Sequence, residues 1–194
     1  MPDGSPWRVG CHRGQNEMLN TLINNVDVGK IATTVEDGRR DTTSLRKTVR
    51  LHGEWSTSPG ARFQFRTMFQ FEGGSKEVEM DSPSFLGGKG RMAGPTDYCV
   101  AGMASCFALT FAILASRQDV HLSELAIDAE CVVNFAKYLD VTEAPVVEGV
   151  KFRVVAKSAT ANREKLLELV KLTEERCPAV FMLVNKIKVQ TELA

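Results

Sequence analysis

A chain of 194 residues, 43% hydrophobic and 25% charged, is long enough for one domain with a buried core and is ordinary in composition for a soluble globular protein. Its 24 basic and 24 acidic residues cancel to a formal charge of zero, which removes the electrostatic footprint of a dedicated nucleic-acid binder or of a protein drawn to anionic membranes. Five cysteines, at 11, 99, 106, 131 and 177, are odd in number and lack a CxxC or a nearby histidine pair. Neither a disulfide-stapled secreted scaffold nor a metal site is expected from that spacing, and no cofactor motif is present. The N-terminal MPDGSPWRVGCHRG has no apolar stretch of the secretory kind, so a cytoplasmic location with reduced thiols is the expectation.

In chain order, residues 1 to about 16 read as a disordered leader. From Glu17 to Val35 the apolar positions suggest one or two short amphipathic helices, interrupted near Asn24-Asn25 and Gly29. Leu45 to Trp55 reads as a strand. After the turn signal Ser58-Pro59-Gly60, the run RFQFRTMFQF alternates strictly, placing Phe63, Phe65, Phe69 and Phe71 on one face and Arg62, Gln64, Arg66, Met68 and Gln70 on the other. Gly73-Gly74 closes a hairpin into a short strand from Lys76 to Met80. The segment LGGKGRMAGP lacks the GxxxxGK[ST] pattern of a phosphate loop and reads as a flexible turn leading into a helix.

That helix, Pro95 to Gln118, is the organising element. Proline suits a first helical turn, where its missing N–H has no partner to lose. The run that follows is rich in Ala, Leu, Met and Phe with few polar positions on any side, so burial nearly all round is expected. Its apolar part, Cys99 to Ala115, is about 17 residues and includes Ser, Thr, Gly and two Cys, which is marginal against the roughly 20 residues a bilayer needs. A core helix is the better reading.

Beyond it, Leu125 to Phe135 alternates with Ile127, Ala129, Cys131, Val133 and Phe135 inward. Residues 138 to 147 form a polar loop, and Val150 to Ala156 is another strand. Asn162 offers an N-cap to a helix from Arg163 to about Arg176, stopped at Cys177-Pro178 because proline cannot continue the ladder. A last strand is expected from Lys186 to Leu193. Strands, long helix, strands, helix and strand make an α+β domain with mostly antiparallel sheet around a buried central helix.

The chemistry is narrow. His12, His52 and His121 stand in a tail, a strand and a loop, and none belongs to a recognisable Ser-His or Cys-His signature. That leaves the thiols. Cys106, in the third turn of the central helix, is either core filling or the working atom. The helix macrodipole fades within the first turn, so a reactive thiolate there requires a side-chain cation, and arginine is the natural one. Cys99 is seven residues earlier, about 10 Å along the axis, and cannot bridge to Cys106 in an intact helix.

DSPSFLGGKGRMAGPTDYCVAGMASCF, followed about 70 residues later by a helix ending in ERCPA, resembles the OsmC/Ohr family of thiol-dependent organic hydroperoxide reductases. The resemblance runs from about Arg46 to the C-terminus; it implies an OsmC-like domain over residues 44–194, with 1–43 as an N-terminal extension, partly disordered or in short helices. It further implies an intertwined homodimer whose sheets wrap around paired central helices. Cys106 is then the peroxidatic thiol and Cys177 the resolving one, with an organic hydroperoxide as substrate and an external dithiol as reductant. Arg62, after the SPG turn, takes the place of the family's arginine, with Arg66 in reserve. The family glutamate that follows the helix-initiating proline is replaced here by Thr96, with Asp97 next to it as the secondary candidate. Two other readings use the same residues: a non-catalytic redox-sensing or ligand-binding protein on the same dimer, and a thiol hydrolase needing His52 or His121 within hydrogen-bond reach of Cys106.

Overall fold

The computed structural model describes residues 22–193, so the expected leader, Cys11 and His12 lie outside the described residues. The element order is β1 (Leu22–Ile23), β2 (Val26–Asp27), α1 (Val28–Arg40), β3 (Gly53–Trp55), β4 (Phe65–Phe71), β5 (Gly74–Met80), α2 (Pro95–Arg117), β6 (Leu122–Val133), β7 (Val147–Ser158), α3 (Arg163–Arg176) and α4 (Pro178–Val184). Every strand pairing is antiparallel: β1 with β2, β3-β4-β5 in a meander, and β6 with β7. The α+β class expected from the sequence is the observed one.

The core is built on the C-terminal half of α2. Phe107, Phe111, Leu114 and Ala115 are buried together with Val120, Leu169, Cys177 and Ala179, and β6 and β7 lay Leu125, Ile127, Phe152 and Val154 against them. Phe107 stacks on Phe152 at 5.3 Å, tying α2 to β7. By length and composition α2 could cross a bilayer; here it forms the centre of a packed α+β unit. Burial all round, however, is not what the single chain gives. Thr96, Asp97, Cys99, Ala101, Gly102 and Ser105 on the N-terminal half, and Leu109 just beyond it, are exposed, because β6, β7, α3 and α4 cover only one side.

The β3-β4-β5 meander supplies no residue to that core among the described residues. Its period-2 pattern still sorts the side chains. Gly53 pairs with Thr67 and lies under the Phe65 ring, where a Cβ would sit 2.0 Å from Cζ, so any side chain there would have to push the ring aside. Trp55, Phe69 and Phe71 stay largely exposed, at 59%, 42% and 57%.

The N-terminal segment departs from expectation. Asn24 and Asn25 both take positive φ, 53° and 60°, and close a two-residue β1-β2 turn in place of a break between helices. Asp27 caps α1 by accepting from Lys30 N at 2.9 Å, and Gly29 is absorbed into the first turn. Asn24 also staples this hairpin to α2: its Nδ2 donates to Ser116 Oγ (3.0 Å) and Val120 O (2.8 Å), and its Oδ1 accepts from Leu122 N (2.7 Å). Ser116 Oγ in turn donates to Ile23 O at 2.8 Å.

Three further differences have simple causes. The strand expected from Leu45 shrinks to Gly53–Trp55, since only those residues face β4. A fourth helix, α4, begins at Pro178, where a stop had been expected: the residue that ends one helix is well suited to start the next. Residues 186–193 form no strand, because no strand among the described residues offers them a ladder; Val189 is 84% exposed.

Replacing Asn24 by Ala removes three hydrogen bonds and leaves Leu122 N without its acceptor. A loss of about 1–3 kcal/mol is expected. Thermal unfolding of the full chain measures it; an unchanged midpoint would show that the hairpin is not stapled as described.

Candidate active site

The lead-in to α2 is held, not flexible. Buried Asp81, 2% exposed at the end of β5, accepts with Oδ2 from Lys89 N (3.0 Å) and Arg91 N (3.3 Å), while Lys89 Nζ reaches back to Ala61 O. Gly88 rests on the Ser82 carbonyl so closely that a Cβ would meet it at 1.9 Å. The flexible turn expected from the glycines is therefore a fastened loop, because one carboxylate gathers its amides. At its end Asp97 Oδ2 accepts from Gly94 N at 2.8 Å. This is half of a capping box, the other half being impossible for a glycine N-cap.

Cys106 lies three turns into α2, partly exposed. Cys177 is the C-cap of α3 and the N-cap of α4, with its N–H on Thr173 O (2.8 Å) and its carbonyl accepting from Phe181 N (2.9 Å). It is 0% exposed, enclosed with Leu169, Phe107 and Phe111. The α3–α4 corner turns it onto α2, so that the two sulfurs stand 3.6 Å apart across 71 residues of sequence. A disulfide needs about 2.05 Å, so bridging requires only a small local shift. Both are free thiols in this state, as are exposed Cys99 and half-buried Cys131.

Electrostatics inside the chain oppose ionisation of Cys106. Burial pushes its thiol above the usual range and the Cys177 sulfur adds to that, while a backbone hydrogen bond from Ala179 at the start of α4 pulls the other way. No guanidinium is among the groups acting on it. Arg62, just before β4, pairs instead with Glu79 of β5 at 2.5 Å; the carboxylate is largely sheltered, at 16%, and the arginine open. Arg66 pairs with Glu54 at 3.0 Å and lies over the Phe63 ring at 5.6 Å. So one chain brings Cys106 and Cys177 together and leaves both candidate arginines engaged on the outer sheet. Asp97 is occupied as a helix cap.

The histidines settle the hydrolase reading. His52 Nε2 faces Glu54 at 3.6 Å and His121 Nε2 faces Asp119 at 3.1 Å, and neither histidine is among the groups that act on Cys106, so the hydrogen-bonded Cys-His pair a hydrolase needs is not formed among the described residues. Nor do those residues contain a group of three His, Cys, Asp or Glu fit for a metal ion. Sequence reasoning missed the Glu79 partner of Arg62 and the Ala179 amide. The first depends on strand register, but Pro178 as a helix-starting residue is a signal that could have revealed the second.

A central helix packed on an antiparallel β6-β7 pair, with a thiol on it facing a second thiol from a helix corner, defines a thiol-bearing α+β protein. Residues 88–192 match the family model of OsmC-like proteins, and the chain belongs to that family. Similar solved structures include an organic hydroperoxide resistance protein OsmC from Legionella pneumophila (19% identity, covering 72% of this chain and 92% of that one, TM-score 0.51). Others are an OsmC-like protein of unknown function from Vibrio cholerae (17%, 70% and 92%, 0.52) and an organic hydroperoxide resistance protein from Elizabethkingia anophelis (17%, 74% and 94%, 0.51). At these identities the likeness is one of fold. No protein of curated function matches the sequence.

If Asp97 is a cap and nothing more, Asp97→Ala costs about 1 kcal/mol and Asp97→Asn, which keeps an acceptor oxygen, costs less. Thermal unfolding of the two variants checks this; equal losses would contradict it.

Proposed function

We propose that this protein is a thiol-dependent peroxidase that reduces organic hydroperoxides to alcohols. The observation that carries the reading is the 3.6 Å approach of Cys106 to Cys177, one partly open and the other sealed. Membership of the OsmC-like family and the fold shared with organic hydroperoxide resistance proteins support a peroxide-related redox role.

The Cys106 thiolate attacks one peroxide oxygen, the O–O bond breaks, and the alcohol leaves after taking a proton. Cys106 is now a sulfenic acid. The Cys177 sulfur attacks it, water departs, and a disulfide joins the two residues; a dithiol then returns both to thiols and closes its own disulfide. Two electrons pass from dithiol to peroxide in each cycle. A reducing compartment such as the cytoplasm suits four free thiols.

The missing cation is assigned to a second copy of the chain. The exposed small-residue side of α2, the aromatic face of β3-β4-β5, and the unladdered residues 186–193 are complementary needs that a homodimer meets together: paired α2 helices, covered sheet faces and a partner strand. In that assembly the Arg62 turn of one chain serves the Cys106 of the other. Glu79 then does for Arg62 what the family glutamate does, since position 96 is threonine and Asp97 is committed to Gly94. Residues 44–194 are read as the working domain and 1–43 as an extension whose hairpin braces the far end of α2. A rival reading, a redox sensor that oxidises once, is favoured by the upward push on Cys106 inside one chain.

Pure protein mixed with cumene hydroperoxide and dithiothreitol should turn over many equivalents, and Cys106→Ser should abolish it. Single-equivalent consumption indicates the sensor; undiminished turnover by Cys106→Ser sinks both. Without dithiothreitol, Cys177→Ser should form no bridge and, in excess peroxide, carry sulfinic acid on the Cys106 peptide by mass spectrometry.

Removing the cation leaves only the Ala179 backbone hydrogen bond against burial, so Arg62→Met should raise the Cys106 pKa. Its iodoacetamide labelling near neutrality should then fall, by about tenfold for each pH unit that the titration midpoint rises. Glu79→Gln should move the labelling profile the same way by less. A profile unchanged in Arg62→Met removes Arg62 from the site.

A further inference from the structure

The two sulfurs of the site are unequal toward an incoming molecule. Cys177 is 0% exposed, fixed by backbone hydrogen bonds on both sides and packed among Leu169, Thr173, Phe107 and Phe111. Cys106 lies at the border of that core and keeps part of its surface, where Cys177 keeps none. Thiol–disulfide exchange requires a thiolate to approach one sulfur along the S–S axis while the other departs, so access decides which sulfur is attacked.

We propose that the Cys106–Cys177 disulfide is opened from the Cys106 side alone, so that the reductant's transient mixed disulfide forms on Cys106 and Cys177 is the leaving thiol. This rests on the reading of the pair as a redox couple, and it identifies the face of the protein that the reducing partner must reach. In the first exchange a reductant thiolate forms a bond to Cys106 Sγ, the Cys106–Cys177 bond breaks, and Cys177 leaves as a thiolate that takes up a proton. In the second, the other thiol of the same dithiol attacks the reductant's own sulfur. Cys106 is released as a thiol and the reductant leaves as a cyclic disulfide, having given up two electrons.

Two consequences follow from the geometry. Peroxide and dithiol use the same opening beside Cys106, so neither can occupy it while the other reacts. After the first exchange Cys177 remains beside Cys106, where it can attack again and expel the incoming thiol. A monothiol is therefore returned to solution repeatedly, whereas a dithiol escapes by closing its own ring.

The test separates this from the peroxidase reading by forming the bridge without peroxide. Full-length protein is oxidised with diamide, mixed with glutathione as a monothiol probe, quenched at increasing times with acid and N-ethylmaleimide, and mapped by peptide mass spectrometry, which keeps Cys99 and Cys131 separate. At the earliest times glutathione should be on the Cys106 peptide and maleimide on the Cys177 peptide, exceeding the reverse pattern by about tenfold or more. Equal partition, glutathione first on Cys177, or failure of diamide to bridge the pair would overturn the proposal. Failure of the peroxidase reading looks different: the bridge forms and opens from Cys106 as described, while cumene hydroperoxide is not turned over. As a second measure independent of the bridge, reduced Cys106→Ser should label at Cys177 with 5,5′-dithiobis(2-nitrobenzoate) at least about tenfold more slowly than Cys177→Ser labels at Cys106. Equal rates would also overturn it.

Discussion

The structure depends on one corner. α3 ends at Cys177 because Pro178 cannot extend its ladder, and the same proline opens α4 in a new direction, so the intervening residue is pressed onto α2. Leu169 and Thr173 of α3, both fully buried, hold α3 against Phe107 and Phe111, which fixes the depth at which Cys177 arrives. A straight helix through this region would carry the thiol past Cys106. The 3.6 Å contact is thus a product of core packing, and the redox couple we propose draws its geometry from the most buried part of the molecule.

Position and activation are supplied by different parts. The interior of α2 gives Cys106 a defined place but an environment that disfavours its charge, since burial raises the thiol and only a backbone hydrogen bond from Ala179 opposes it. The arginines that suit such a thiolate sit on β3-β4-β5, a sheet that shares no core with α2 among the described residues. A chain that places its candidate nucleophile and its candidate cation on two halves with unpaired apolar faces is organised for assembly, and the proposed dimer answers the packing and the electrostatic need at once.

The same division explains the unequal openness of the two sulfurs. Cys177 contributes to the core and has no surface; Cys106 contributes an edge to it and keeps some. Inequality of this sort is a property of the corner, and a more exposed Cys177 would require loosening the packing that brings the sulfurs together.

Much was legible in local chemistry. Asn162 as a cap, Pro95 as a helix start, the alternation through Leu125–Val133 and the stop at Cys177-Pro178 all stand where the residues indicated, because capping and period-2 burial are set by neighbours in sequence, whereas the alternating run from Arg62 becomes strand only at Phe65 and leaves Phe69 and Phe71 exposed. The OsmC-like family and the α+β class followed from the same stretches. What local reasoning could not supply was anything needing a distant partner. The half-open face of α2, the strandless residues 186–193, the Asn24 staple and the Asp81-gathered loop depend on which elements lie opposite them. The Arg62–Glu79 pair depends on the register of β4 against β5. By itself, then, the sequence determined the long helix α2 and its start, α3 with its cap and its stop, the β6 alternation and the two thiols, since each is written in residues a few positions apart. The tertiary structure alone decided that those thiols meet, which of them faces solvent, and that no arginine among the described residues acts on Cys106, because these are facts of distance between segments the chain must fold to bring together.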